Sequence, residues 1–220
     1  AYLGLDVGAV STNLALLDES LSVIEDVYLR TEADPILSIV RILEVASRHL
    51  DSVEIAGCGT TGTGRHLAAA LVGADIIRNE ITAHARAALH FFPDVRTIIE
   101  IGGQDSKIIL VNDGMVVDFA LNTMCAAGTG SFLDYQASRM GLSVEEFAEM
   151  AFRAKESVRI SGRCTVFAET DMIQKQQAGV SKEAIARGLC EALVRNYLSN
   201  VARGKRIEAP VVFQGGVASN

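Results

Sequence analysis

The chain has no unbroken apolar run approaching the roughly 18 residues that a membrane-spanning helix needs, so no segment of it reads as a membrane span. Its start, Ala1-Tyr-Leu-Gly-Leu-Asp6, has no basic stretch ahead of the apolar residues and reads as a strand, not a secretion signal. Clustered cations are also missing. The 20 basic and 27 acidic side chains give a net charge of −7, and Lys and Arg are scattered along the sequence, which speaks against a nucleic-acid surface. Cysteine is scarce: four in 220 residues (Cys58, Cys125, Cys164, Cys190) do not make a disulfide-dense secreted scaffold, and no CxxC pair signals zinc. Free or metal-bound thiols in a reducing cytoplasm are the expectation. The P-loop signature GxxxxGK with Ser or Thr is absent.

What is present is a large apolar fraction, 49%, enough for a sizeable core in one two-lobed unit or two small subdomains. The sequence also repeats itself. Leu5–Asp18 and Ile99–Asn112 align with a shift of 94 residues, which matches Asp6 to Glu100, Gly8 to Gly102, Ser11 to Asp105 and Asp18 to Asn112. In each copy an apolar strand ends in an acidic residue and a glycine, a small polar turn follows, and a second apolar strand closes on Asp or Asn; both are hairpin signals. Third strands follow at Leu21–Leu29 and Met115–Leu121.

Apolar spacing then predicts helices over Pro35–Leu50, Gly64–Leu71, Glu80–Phe92, Gly128–Met140, Ser143–Ala151, Ala168–Gln177 and Ser181–Gly204, with strands at Val53–Gly57 and Val211–Gln214. Ser143 followed by Glu146 is a capping box. Repeated hairpin, strand and helices argue for two similar α/β lobes with a cleft between them, over residues 1–93 and 94–220. The chain reads as a piece of a longer protein.

Three glycine-rich turns suit phosphate chemistry. In Asp6-Val-Gly-Ala-Val-Ser-Thr12, Gly8 lets the backbone approach a phosphate, Ser11, Thr12 and Asn13 offer side-chain donors, and Asp6 is placed to hold Mg²⁺ through water. Glu100-Ile-Gly-Gly-Gln-Asp105 supplies Gly102 and Gly103, with Gln104 to orient an attacking water and Asp105 to bind Mg²⁺-water or act as base. Gln214-Gly-Gly-Val217 follows a strand, and Gly215 and Gly216 would let an adenosine lie flat on the backbone. Ordinary β-turns are the plainer alternative. Gly57–Gly64 reads equally as a turn near the nucleotide or a purely structural one.

Taken in order, these turns resemble the phosphate-1, phosphate-2 and adenosine motifs of the acetate kinase/sugar kinase/Hsp70/actin superfamily. Asn122-Thr-Met-Cys-Ala-Ala-Gly-Thr-Gly-Ser-Phe-Leu133 and Cys164-Thr-Val-Phe-Ala-Glu-Thr-Asp-Met172 narrow the resemblance to activators of 2-hydroxyacyl-CoA dehydratases and the related ATPase subunits of benzoyl-CoA reductase. The resemblance covers nearly the whole chain. It implies duplicated actin-like (ribonuclease H-like) lobes with an interlobe nucleotide cleft, and ATP hydrolysis, yielding ADP, that drives single electrons to a partner acyl-CoA dehydratase or reductase. A ferredoxin or flavodoxin donor and a homodimer sharing one [4Fe–4S] cluster come with it. Two departures stand out: Ala9 replaces the family's Ser and Asn13 its Lys, so one phosphate contact loses its charge.

The thiols carry part of this on their own. Cys125 and Cys164 each stand at a helix entrance, where partial positive charge favours a thiolate and an anionic cluster. A cluster takes four ligands, and two per chain suffice only if two chains meet across a two-fold axis. Two free, partly exposed thiols are the alternative. Cys190 sits among helix core positions as a packing residue, and Cys58 ends a strand. Two other functions fit the turns: a small-molecule kinase using Asp105, or an ATP-sensing domain, for which Ala9 and Asn13 speak.

Overall fold

The computed structural model describes residues 1–50, 53–122 and 126–219. The chain forms two compact units, Ala1–Ala87 and Ala88–Asn220.

In the first unit β1 (Tyr2–Val7), β2 (Ser11–Leu17) and β3 (Val23–Arg30) form an antiparallel meander, and β4 (Gly57–Thr61) and β5 (Ile76–Ile77) add in parallel, in the order β3-β2-β1-β4-β5. Alternation puts Leu3, Leu5 and Val7 of β1 and Leu14 and Leu16 of β2 on one buried face. The helix α1 (Pro35–Leu50) covers that face with Ile39, Ile42 and Ala46, and α2 (Arg65–Val72) adds Ala68. Each fully buried Leu or Ile contributes about 1.5–3 kcal/mol. Pro35 fits the first helical position, and the Leu37 amide donates to Asp34 Oδ1 at 2.9 Å.

The strand expected at Val53–Gly57 is displaced: the ladder occupies Gly57–Thr61, beside β1. Val53 and Ile55 carry the β-propensity, but pairing with β1 decides the register and favours the flatter Gly57-Cys-Gly-Thr-Thr61. Cys58 therefore lies inside a strand, not at its end.

In the second unit β6 (Thr97–Ile101), β7 (Ser106–Asn112) and β8 (Met115–Asn122) form the meander, with β9 (Val211–Gln214) parallel to β6, in the order β8-β7-β6-β9. The helix α3 (Glu80–Phe91) precedes β6. Four more, α4 (Gly130–Arg139), α5 (Val144–Arg153), α6 (Thr165–Gln177) and α7 (Lys182–Asn200), enclose a core of Phe132, Phe147, Met172, Leu189 and Leu193 against Ile101 and Ile108 of the sheet. The capping box opens α5: Ser143 Oγ accepts from the Glu146 amide at 3.1 Å, and Glu146 Oε2 accepts from the Ser143 amide at 2.8 Å. Helix α6 starts at Thr165, earlier than apolar spacing indicated, with Cys164 as its N-cap residue.

The repeat holds in three dimensions. Asp6 pairs with Asn13 across the first hairpin, and Glu100 with Lys107 across the second. The Gly8 amide donates to the Ser11 carbonyl at 2.9 Å, and the Gly102 amide to the Asp105 carbonyl at 3.0 Å. Both meanders shift register at the same place, between Leu16 and Leu17 and between Leu110 and Val111. Among the described residues no helix is long and apolar enough to cross a membrane.

Candidate functional site

Each unit builds its turn in the same way. At the end of β1, Asp6 lies opposite Thr61, the last residue of parallel β4. Gly62 follows with φ +87°, and a Cβ there would sit 2.4 Å from Asp6 Oδ1 and 2.5 Å from the Val7 carbonyl oxygen. At the end of β6, Glu100 lies opposite Gln214, the last residue of β9. Gly215 follows with φ +91°, and its Cβ would fall 2.5 Å from the Ile101 oxygen and 2.7 Å from Glu100 Oε1. Only glycine meets both demands, positive φ and backbone contact. The Gly57–Gly64 stretch is thus the first unit's counterpart of Gln214–Val217, which the spacing of Gly residues alone did not reveal.

In the first turn Ser11 and Asn13 are partly exposed, and Asn13 Nδ2 reaches Ser11 Oγ at 3.5 Å. Thr12 is placed differently from the sequence expectation. It is fully buried, its hydroxyl 3.1 Å from that of Thr31, which donates to the Gly8 carbonyl at 2.9 Å. Thr12 braces the turn from beneath, because every second residue of β2 faces the core. The Thr61 hydroxyl, on the residue that pairs with Asp6, is buried with no hydrogen-bond partner among the described residues.

In the second turn Lys107 Nζ donates to Glu100 Oε2 at 2.9 Å and to Asp105 Oδ1 at 2.7 Å. The Lys107 and Glu100 side chains are 3% and 4% exposed, that of Asp105 35%. Burial alone would lower the Lys107 pKa, but the Glu100 carboxylate and the bonds to both acids outweigh it and hold the ammonium well above its ordinary value. Burial, with Glu100 adding, also raises the Tyr197 phenol, which donates to the Lys107 carbonyl at 2.9 Å.

Glu100, which the sequence suggested as a ligand contact, is ion-paired inside the fold and packed against Gly102 and Gly215. Its counterpart Asp6 faces a neutral Asn13. Gln104 is exposed at the turn, and Gly102, Gly103 and Gly215 are partly so.

Cys125 lies outside the described residues. The Gly130 and Ser131 amides at the start of α4 donate to the Gly102 and Gly103 carbonyls, both at 2.8 Å. A Cβ on Gly128 would fall 2.7 Å from Asn196 Oδ1 and 2.8 Å from Asn122 Nδ2. Asn196, buried on α7, also donates to the Gly162 carbonyl, two residues before Cys164. One side chain thus ties together the flanks of both cysteine motifs.

Cys164 itself is a partly exposed free thiol, and Glu169 on its helix is held by Arg139 at 2.8 Å and Tyr135 at 3.2 Å, both from α4. Cys190 is half-buried with its pKa pushed up to about 11 by burial, and Cys58 is buried and raised likewise, as packing thiols are. Among the described residues no three His, Cys, Asp or Glu side chains gather as a metal site.

Lys107 and Asn196 were not among the residues singled out from the sequence. The available signal was a lysine inside the apolar run Ile108-Ile-Leu-Val111 that it opens, and an asparagine at a core position of α7.

Residues 3–220 match the model of the BadF/BadG/BcrA/BcrD ATPase family. The chain is 34% identical over 221 residues to the (R)-2-hydroxyglutaryl-CoA dehydratase activating ATPase of Acidaminococcus fermentans, covering 99% of this chain and 83% of the relative. It is 35% identical to the activator of lactoyl-CoA dehydratase of Anaerotignum propionicum, with 99% and 83% covered. The fold superposes on the activator of 2-hydroxyisocaproyl-CoA dehydratase from Clostridium difficile with bound ADPNP: TM-score 0.91, 31% identity, 100% of this chain and 81% of that one. The expected duplicated actin-like ATPase fold is the fold found.

Proposed function

The chain belongs to the BadF/BadG/BcrA/BcrD ATPase family, and on that footing we propose that it is an ATP-driven activator that passes single electrons to a partner acyl-CoA dehydratase or reductase. The observation that supports it best is the bonding of the Gly130 and Ser131 amides to the Gly102 and Gly103 carbonyls at 2.8 Å. The turn assigned to phosphate is the turn on which the helix after Cys125 is seated. A change at one is felt at the other without a lever between them.

ATP is held by the Gly8–Asn13 turn, the Gly102–Asp105 turn and the backbone of Gly215 and Gly216. Asp6, across the hairpin from Asn13, holds Mg²⁺ through water. Gln104, exposed on its turn, orients the attacking water. Asp105 stays near the phosphate, its charge moderated by Lys107 at 2.7 Å. Differential contacts of ATP and ADP with the Gly102–Gly103 turn shift α4 and so the Cys125 segment.

Cys125 and Cys164 from each of two copies would hold one [4Fe–4S] cluster in a homodimer. A partly exposed thiol at the entrance of α6, with Gly128 and Gly162 drawn together by Asn196, fits such a ligand pair. The cluster supplies one-electron chemistry at low potential. The chain's own residues position the thiolates, limit solvent and move the segment that carries Cys125. A reduced ferredoxin or flavodoxin would be the electron source, oxidised as the acyl-CoA enzyme is reduced. The setting is the reducing cytoplasm.

Anaerobic purification with iron and sulfide assays tests the reading. A brown dimer is expected, losing its iron in Cys125→Ala and in Cys164→Ala. A colourless monomer that transfers phosphate to a small acceptor would replace it with a kinase, and tight ATP binding without hydrolysis would replace it with a sensor.

A further inference from the structure

A cleft of about 650 Å³ opens between α6, α7 and the stretch that leads into Cys164. Its wall carries Arg159, Arg163, Lys175 and Arg195 against one carboxylate, Asp171. That carboxylate is already engaged, accepting from the Ser161 amide at 2.8 Å. Arg159 and Lys175 make no ion pair among the described residues.

The floor is rigid. Arg195 donates to the Ile160 carbonyl at 2.9 Å and Asn196 to that of Gly162. The backbone rests so closely on α7 that a Cβ on Gly188 would fall 2.2 Å from the Val158 oxygen, and one on Gly162 2.5 Å from the Ala192 oxygen.

The charge around the cleft is at odds with the rest of the chain. Residues 151–206 carry 11 Lys and Arg against 5 Asp and Glu, while the remainder carries 9 against 22. A local excess of positive charge in an otherwise net-negative chain attracts an acidic protein to that stretch. Arg159, Arg163 and Arg195 are exposed to solvent. Exposed cations in an open cleft speed encounter more than they tighten binding, which suits a partner that must dock, deliver an electron and leave.

We propose that this basic cleft is the docking surface for the acidic electron-donor protein, placing the donor beside Cys164. The inference rests on the electron-transfer reading above and adds where the donor binds and by what force.

The test uses the anaerobically purified full chain, a reduced acidic ferredoxin as probe, and Arg159→Glu together with Lys175→Glu. Stopped-flow reduction of the wild type should slow steeply with added salt. In the double variant at low salt the second-order rate constant should fall about tenfold or more, and the salt dependence should flatten. Reduction by dithionite and ATP hydrolysis should not change.

The inference is overturned if both proteins share one rate and one salt dependence. It is also overturned if only activation of the acyl-CoA enzyme is lost, which gives the surface to that partner, or if phosphate at constant ionic strength blocks reduction, which makes the cleft a small-anion site. Binding of the ferredoxin, titrated separately, keeps the two readings apart. A chain without iron that still binds it in a charge-dependent way overturns the function and keeps the surface. A brown, reducible protein indifferent to the reversals does the opposite.

Discussion

The Gly130 amide donates to the Gly102 carbonyl at 2.8 Å, so the first turn of α4 is capped by backbone of the glycine turn after β6. Helix starts leave up to four amides without intrahelical partners. Here two of them are spent on that turn, and Ser131 takes Gly103.

Gly130→Ala tests this seat. Alanine usually favours a helix, yet the added Cβ would lie 3.1 Å from the Gly102 oxygen and 3.2 Å from Val217 Cγ2. The turn and the Val217 loop must give way, at about 1–3 kcal/mol. The expected result is weaker ADPNP binding by calorimetry, with activation of the acyl-CoA enzyme reduced more than ATP hydrolysis. Unchanged affinity together with unchanged activation would mean that the contact couples nothing.

Lys107→Met should cost about 3–5 kcal/mol in denaturant unfolding, because it leaves the Glu100 carboxylate, 4% exposed, without its cation. Adding Glu100→Gln should return most of that loss. If the single variant is as stable as the wild type, Glu100 is not held as an anion by this pair.

The same pair sets an alkaline limit. Lys107 has a raised pKa, so its contribution is fully present below the unfolded-state value of about 10.4 and is lost as pH rises toward the folded one. Stability from this source should be level between neutral pH and about pH 10, then decline. Lys107→Met should lack that decline in unfolding curves taken across the range.

Asn196→Ala removes the side chain between Gly128 and Gly162 and strands the Gly162 carbonyl. A loss of about 1–3 kcal/mol is expected, together with less iron per chain after anaerobic gel filtration. Full iron content in a destabilised variant would confine Asn196 to packing.

Gln136 is wholly buried on α4, and neither amide atom is hydrogen-bonded among the described residues. Gln136→Met keeps the length and removes the unpaired dipole, so a gain of about 1 kcal/mol and a higher Tm are expected. A lower Tm would show that water or a bound group pairs with the amide.

Much of this was legible in the sequence because it is local. The shift of 94 residues predicted two hairpins, and both share turns, bonds and register shifts. The Ser143–Glu146 cap and the strand Val211–Gln214 follow from short-range chemistry and were found where expected. What only tertiary structure decided are the meetings of distant segments. Pairing with β1 moved the fourth strand to Gly57–Thr61. The pleat turned Thr12 inward. Lys107 pairs with Glu100 across the hairpin. And Asn196, 34 residues along the chain from Gly162, joined the approaches to the two cysteines. Periodicity reports which side of an element faces the core; it does not report which residue of another element waits there, because that depends on packing among segments far apart in the chain.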